Sequence, residues 1–362
     1  MNPKRILGCF LAAALSLSFP GSAFAAGIDD VKVEKEAKNV ILLIPDGMSV
    51  GGLTLARWYN GGDALNLDEM ASGLVRTYSA DAPIADSAPA GTAMATGFKS
   101  YTGFVGVLPD ENTMPGMPAI SAEERRSPVA SILEAAKLDG KATGLVATSE
   151  IMHATPADFS AHDPSRKNYD TLSEQQVYQD MDVVIGSGSQ YFTSEVRGDK
   201  EDLLSVIQDN YQYADTPAEF NQVSTGKLWA MFDPVSLAYE FDRDPAKEPS
   251  LAEMTDKAID LLSQDADGFF LMVEGSKIDW AAHANDPIGI ISDILAFDEA
   301  VGVALDSKNP VLIVQKGDTT IKMPVNKNIA YVNDEPVKLN GIVLFNGISA
   351  FIPQKAVDLL SE

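Results

Sequence analysis

Asp86-Ser87-Ala88-Pro89-Ala90-Gly91-Thr92-Ala93-Met94-Ala95-Thr96-Gly97 is the stretch around which the rest of the chain can be read. It follows the β-like run 74–80 and a short Asp81-Ala82-Pro83 break, and its alanines predict a helix. Ser87 then sits at or near a helix N-terminus. Free N–H groups there favour an anion, so a phosphoryl group could rest against the serine oxygen. Most serines in such places merely cap their helix. The neighbouring segments raise the catalytic alternative. Upstream, Asn39-Val-Ile-Leu-Leu-Ile-Pro-Asp46-Gly47 has the pattern of a buried strand ending in a carboxylate. Downstream lie His153-Ala-Thr155-Pro-Ala and Glu274-Gly-Ser-Lys-Ile-Asp279-Trp-Ala-Ala-His283.

Outward from these segments, residues 39–306 alternate strand-like and helix-like runs. Strands are predicted at 40–44, 74–79, 143–147, 183–185, 228–232 and 269–273, and helices at 129–138, 200–209, 252–264 and 288–306. The last carries Ile291, Ile294, Leu295, Phe297, Val301 and Leu305 close to a helical period. Such alternation predicts an α/β fold, a mainly parallel sheet with helices on both faces. Sites in these folds gather at the carboxyl ends of strands, where Asp46, Glu274 and the 148–155 loop are placed. Residues 100–127, rich in Gly, Pro, Met and acidic residues, read as a long surface excursion. At 306–307 the character changes. Short β-runs at 311–315, 319–323, 329–332 and 336–339, separated by turn residues, predict a small β-rich module over 311–362, closed by a helix at 353–360.

The first residues belong to neither part. Lys4-Arg5, an apolar run 6–19 and Ala23-Phe24-Ala25 form a secretory signal over 1–26, so the mature protein is expected in the periplasm or outside the cell. The single cysteine, Cys9, leaves with it, and the mature chain can form no disulfide. No later stretch has the length of a membrane span, so integral membrane insertion is not expected. Loss of Lys4 and Arg5 takes the formal net charge from −25 to −27. Nucleic-acid backbones would be repelled, which argues against a nucleic-acid partner.

Phosphate monoesters resist hydrolysis because their oxygens repel nucleophiles and the alkoxide leaves poorly. Two cations address both difficulties, and they need carboxylates and imidazoles gathered from different strand ends. Asp46 is either a turn aspartate or a carboxylate able to bridge two metals. Asp279 and His283, four apart, share a helix face and can share a metal; the plainer alternative is a local hydrogen bond. Glu274 ends an apolar run, where a carboxylate without a partner is costly, and suits a hard ion such as Mg²⁺.

In this order and with these intervals, the four segments resemble the alkaline phosphatase family. The resemblance implies Zn²⁺ and Mg²⁺ as cofactors and small phosphomonoesters as substrates. It implies that Asp46 links the Mg²⁺ site to one Zn²⁺ site, and that Ser87 is the nucleophile that becomes phosphoserine. His153 and Thr155 match the loop beside Mg²⁺, Glu274 its third ligand, and Asp279 and His283 two ligands of the other Zn²⁺. Arg166, in His162-Asp-Pro-Ser-Arg166, matches the arginine that grips the phosphate with its planar fork; His162 reads as structural. A Ser/Cys-x-Pro-x-Arg motif is absent, which separates the chain from the related sulfatases.

The chain departs from the family in one respect. The family pattern continues with a strand ending in Asp-His and later a further histidine, whereas the histidines here are His153, His162 and His283. By that scheme the Zn²⁺ site nearest Ser87 loses its Asp-His pair and the other loses its second histidine. The switch at 306–307 then reads as an internal deletion and the fold as a truncated form of the family's, leaving one sheet edge exposed or covered by the tail. The tail resembles the β-rich module of copper amine oxidase N-terminal domains. The family raises a homodimer as a partner, and the tail raises contact with cell wall. Three functions stay open: a phosphomonoesterase, a non-catalytic metal- or phosphate-binding descendant, and a cell-surface structural or adhesion protein.

Overall fold

The computed structural model describes residues 37–306 continuously and, beyond them, 311–316, 319–324, 329–333, 335–338, 344–345 and 350–351. The signal over 1–26 and the helix at 353–360 lie outside the described residues. Six strands form one parallel sheet: β1 Val40–Ile44, β2 Ala142–Glu150, β3 Val183–Ser187, β4 Gln212–Ala214, β5 Leu228–Met231 and β6 Phe269–Glu274, in the order β1-β6-β2-β3-β5-β4. Parallel pairing buries both faces of the central strands, which is why β6 is apolar up to its final Glu274; the short edge strand β4 is not. The alternation is visible in the packing. Leu145, Ala147, Phe270 and Met272 enter one core with Ala88, Leu133 and Leu172. Val146, Leu271 and Val273 enter the other with Ala258, Leu262, Ile294 and Phe297.

The helices cover both faces, as expected. They are α1 Val50–Tyr59, α2 Ser87–Thr96, α3 Ile132–Leu138, α4 Ala154–Ala157, α5 Tyr169–Tyr178, α6 Leu203–Asn210, α7 Pro217–Gln222, α8 Leu251–Leu262, α9 Lys277–Ala284 and α10 Pro287–Asp306. Capping boxes set the starts of α3 (Ser131, Glu134) and α8 (Ser250, Glu253). α1 and α5 were not foreseen; Gly51-Gly52 in the first and the polar run of the second obscure a helical period.

Two expectations are corrected. The run 74–79 is not a strand. Leu74 and Val75 are 95% and 80% exposed, and among the described residues no neighbouring strand offers the run a ladder. Its Tyr78 ring instead gathers two cations, Lys99 Nζ at 4.2 Å and the Arg76 guanidinium at 5.9 Å. Second, the excursion 100–127 turns inward at its start: Ser100, Phe104, Val105 and Val107 are buried. There Val105 bridges Asp163, and Gly106, at φ +61°, lies against the Ala161 carbonyl where a Cβ would not fit. The tail, as its sequence predicts, forms a small β-rich module of its own and does not join the main sheet, of which β1 is an edge. β7 Val311–Lys316, β8 Thr319–Pro324, β9 Ile329–Val332 and β10 Glu335–Lys338 form their own antiparallel sheet, and β11 Leu344–Phe345 pairs with β12 Ala350–Phe351. Among the described residues no helix is long and apolar enough to cross a membrane.

Candidate active site

Three adjacent strands deliver their carboxyl ends to one place. Glu274, the last residue of β6, stands in register between Ile44 of β1 and Ala147 of β2. Asp46 follows β1 by two residues. Gly47 then turns at φ +69°, and a Cβ there would lie 2.7 Å from the Asp279 Cα. Only glycine tolerates both the conformation and the approach, so it brings Asp46 against the first turn of α9.

Ser87 is the first residue of α2, as its sequence predicts. Its Oγ donates to Asp46 Oδ2 at 2.9 Å. The N-cap is the preceding residue, Asp86, whose Oδ1 accepts from Ala88 N at 2.8 Å, so Ser87 is free of the capping role that most such serines perform. Asp86 does more. Its Oδ2 accepts from Gly103 N at 2.8 Å, and its Oδ1 pairs with Arg166 Nη1 at 3.2 Å. The other arm, Arg166 Nη2, donates to His153 Nε2 at 2.9 Å. Burial pushes His153 down to about 3, helped by the charges of Arg166 and Lys277, so its imidazole is neutral and its proton sits on Nδ1. His153 thus faces the arginine.

Burial holds the carboxyls of Asp46 and Glu274 above the ordinary range. Asp279 adds to the effect on Asp46, and Asp46 to that on Glu274. Among the described residues neither Glu274 oxygen makes a hydrogen bond of ordinary geometry, nor does His153 Nδ1; the hydroxyls of Ser276 and of Thr155, buried at the start of α4, are near enough to Glu274 to offset part of the rise. An orphaned buried carboxylate is expensive, and a hard cation is the partner its chemistry fits. Asp279 and His283 share one face of α9, with Oδ2 and Nε2 3.5 Å apart and His283 82% exposed. That carboxylate–imidazole pair has the donor chemistry of zinc but supplies two of the four donors zinc takes. The position next to Ser87 falls short as well: among the described residues it offers Asp46 and Ser87, with no imidazole. Three His, Asp or Glu ligand atoms within 4.8 Å of one another occur at Glu174, Asp199 and Glu201 on the surface, where Arg197 already pairs with Asp199 and Glu201.

His162 is structural, held by the Gly106 carbonyl at 2.7 Å and Glu134 at 3.0 Å. Sequence reasoning gave no role to Asp86, Asp158, Lys277 or Trp280. Asp158 is fully buried, accepts from Thr92 Oγ1 at 2.7 Å and fits against α2 because Gly91 lacks a Cβ. Burial raises its pKa well above the usual range. The Asp86-Ser87 adjacency was a signal for Asp86; the partners of the others are distant in sequence.

The carboxyl ends of a parallel α/β sheet thus bring Asp46 and Glu274 together with Ser87, and Arg166 is tied to the Asp86 that caps the helix of that serine. The alkaline phosphatase family matches residues 37–326, and the chain belongs to that family. Alkaline phosphatase 4 of Bacillus subtilis is 38% identical over 314 residues, covering 81% of this chain and 64% of that protein. Alkaline phosphatase of Escherichia coli is 31% identical, covering 82% and 73%. Among solved structures, alkaline phosphatase from the Antarctic bacterium TAB5 superposes with a TM-score of 0.64 at 34% identity, covering 75% of each chain. That of Thermus thermophilus gives 0.68 at 31%, covering 78% of this chain and 59% of that one. The chain spans just under two thirds of the length of the two Bacillus subtilis relatives.

Proposed function

We propose that this chain is an exported phosphomonoesterase that hydrolyses small phosphate monoesters through a phosphoserine at Ser87. The carrying observation is the Ser87 hydroxyl at the mouth of α2, bonded to Asp46 and free of capping duty. Asp46, Thr155 and Glu274 would hold Mg²⁺, and Asp279 with His283 would hold Zn²⁺; a TAB5 alkaline phosphatase variant was solved with magnesium bound in its M3 site. Bound there, divalent ions supply positive charge that neutralises phosphoryl oxygens and eases deprotonation of the attacking oxygen.

The chain's own residues do the rest. The Arg166 fork, braced by Asp86 and His153, grips two phosphate oxygens and sets phosphorus in front of Ser87. The N–H groups of the first turn of α2 favour the same anion. Ser87 Oγ attacks phosphorus as its proton passes toward Asp46 Oδ2; the bond from phosphorus to the ester oxygen breaks, and the departing alkoxide takes a proton from solvent. A water then attacks the phosphoserine, the bond from phosphorus to Ser87 Oγ breaks, the serine recovers its proton and inorganic phosphate leaves. Export rests on the signal over 1–26.

A second reading, a phosphate- or metal-binding protein without turnover, is favoured by the sparse donor set beside Ser87. Hydrolysis of p-nitrophenyl phosphate at alkaline pH with Zn²⁺ and Mg²⁺ separates the two. Turnover that a chelator abolishes and Ser87→Ala lacks is the expected result. A folded, metal-loaded chain without turnover would replace the first reading with the second.

A further inference from the structure

Lys277 opens α9, and its side chain runs inward until the residue is 3% exposed. An ammonium taken out of water needs compensation. Among the described residues its ammonium makes one direct hydrogen bond, to Ser236 Oγ at 3.0 Å. The carboxyls that face it are Glu150, Asp293, Glu248 and Asp233. Its tightest neighbour is an aromatic face: Nζ stands 3.7 Å from the centre of the Trp280 ring, with Tyr239 at 5.3 Å. A desolvated cation at that distance binds an indole strongly.

Trp280 is three residues along the same helix and only half-buried, so burial alone does not fix its indole. It meets His153 edge-on, ring centres 5.7 Å apart and planes at 71°. His153 Nε2 in turn accepts from Arg166 Nη2 at 2.9 Å. An unbroken series of contacts therefore runs from a buried lysine to the guanidinium.

We infer that Lys277 is a positioning residue for the phosphate grip: its cation pins the Trp280 indole, the indole holds the His153 ring, and that ring orients Arg166. The inference rests on the reading of Arg166 as the phosphate ligand, and it assigns a role to a residue outside the reacting groups. Without the cation, the indole and imidazole regain rotamer freedom and Arg166 keeps Asp86 as its remaining side-chain tether.

The test uses the full mature chain with Zn²⁺ and Mg²⁺ present, labelled with ¹⁵N-histidine. Its three histidines give three imidazole signal pairs, assigned by single substitutions. At fixed near-neutral pH, His153 is expected as the Nδ1–H tautomer. Lys277→Met shifts His153 toward a tautomer mixture and leaves His162 and His283 in place; Lys277→Arg, which can stack on the indole, restores it. Inorganic phosphate affinity, by titration calorimetry, falls about three- to tenfold in Lys277→Met and recovers in Lys277→Arg. Trp280→Leu, which leaves the buried lysine its acidic surroundings, must reproduce the His153 shift even if Lys277→Met does not fold. Unchanged His153 signals in either folded variant overturn the inference, as do shifts spread over all three histidines. A wild type that binds no phosphate overturns the functional reading instead, and the imidazole signals still decide the role of Lys277.

Discussion

Asp86 caps the helix of Ser87 and holds Arg166 with the same carboxylate, so its replacement should be felt twice. Three interactions are lost in Asp86→Ala: the cap to Ala88 N at 2.8 Å, the bond from Gly103 N at 2.8 Å and the pair with Arg166 at 3.2 Å. The cap is worth about 1 kcal/mol. The Gly103 N–H, left without its acceptor, adds about 1 kcal/mol. The ion pair is 24% exposed on one side and 31% on the other. It adds about 0.5 kcal/mol. Asp86→Ala should therefore cost about 2.5 kcal/mol, and Asp86→Ser, which restores the cap acceptor, about 1.5 kcal/mol. With an m-value of about 3–4 kcal/mol/M for a chain of this size, the urea midpoint of the alanine variant falls by about 0.7 M. Phosphate affinity falls in both variants, because Arg166 is loosened in both. An alanine variant within about 0.1 M of wild type, or a serine variant no better than alanine, would refute the double role.

Gly47→Ala places a Cβ 2.7 Å from the Asp279 backbone at φ +69°. It should cost at least about 2 kcal/mol and weaken metal binding; a wild-type melting temperature would contradict this. In a chelator, Glu274→Gln should melt at or above the wild-type temperature, since it removes a fully buried carboxyl whose charge nothing nearby neutralises. Added Mg²⁺ should then raise the melting temperature of wild type and not of the variant, and an equal rise in both would count against a Glu274 site. For His162, burial alone would lower the pKa, but its bonds to Glu134 and Gly106 outweigh it and the net shift is upward. For Glu134, burial alone would raise the pKa, but the bond to His162 and others lower it. The His162 contribution is complete below the ordinary histidine pKa and fades as pH rises through the folded value. That of Glu134 is complete above the ordinary glutamate pKa and fades as pH falls through its folded value. His162→Gln should thus cost about 2 kcal/mol near pH 6 and less near pH 9; equal costs at both would refute the pairing.

The strands that carry the site were legible because parallel sheets need apolar runs, and 40–44 and 269–273 are uninterrupted. β4, three residues long, has no such run to read. The run 74–79 has strand-forming residues, but strand formation needs a ladder, and sequence does not show whether a neighbour is there. Asp46, Ser87 and Glu274 could be found because each ends a strand or starts a helix. Asp86 and Arg166 are 80 residues apart, so their pairing is a product of the fold. Lys277 carries no signal in the sequence, because the Ser236, Tyr239 and carboxyl groups around its buried ammonium come from distant segments.

The central claim is that Ser87 takes the phosphoryl group. The metal-loaded chain, incubated with inorganic phosphate, quenched in acid and digested, should yield a peptide phosphorylated at Ser87 by mass spectrometry. That modification should vanish on chelation. A folded, metal-loaded protein with no phosphate on Ser87, or with phosphate on another residue, would contradict the account.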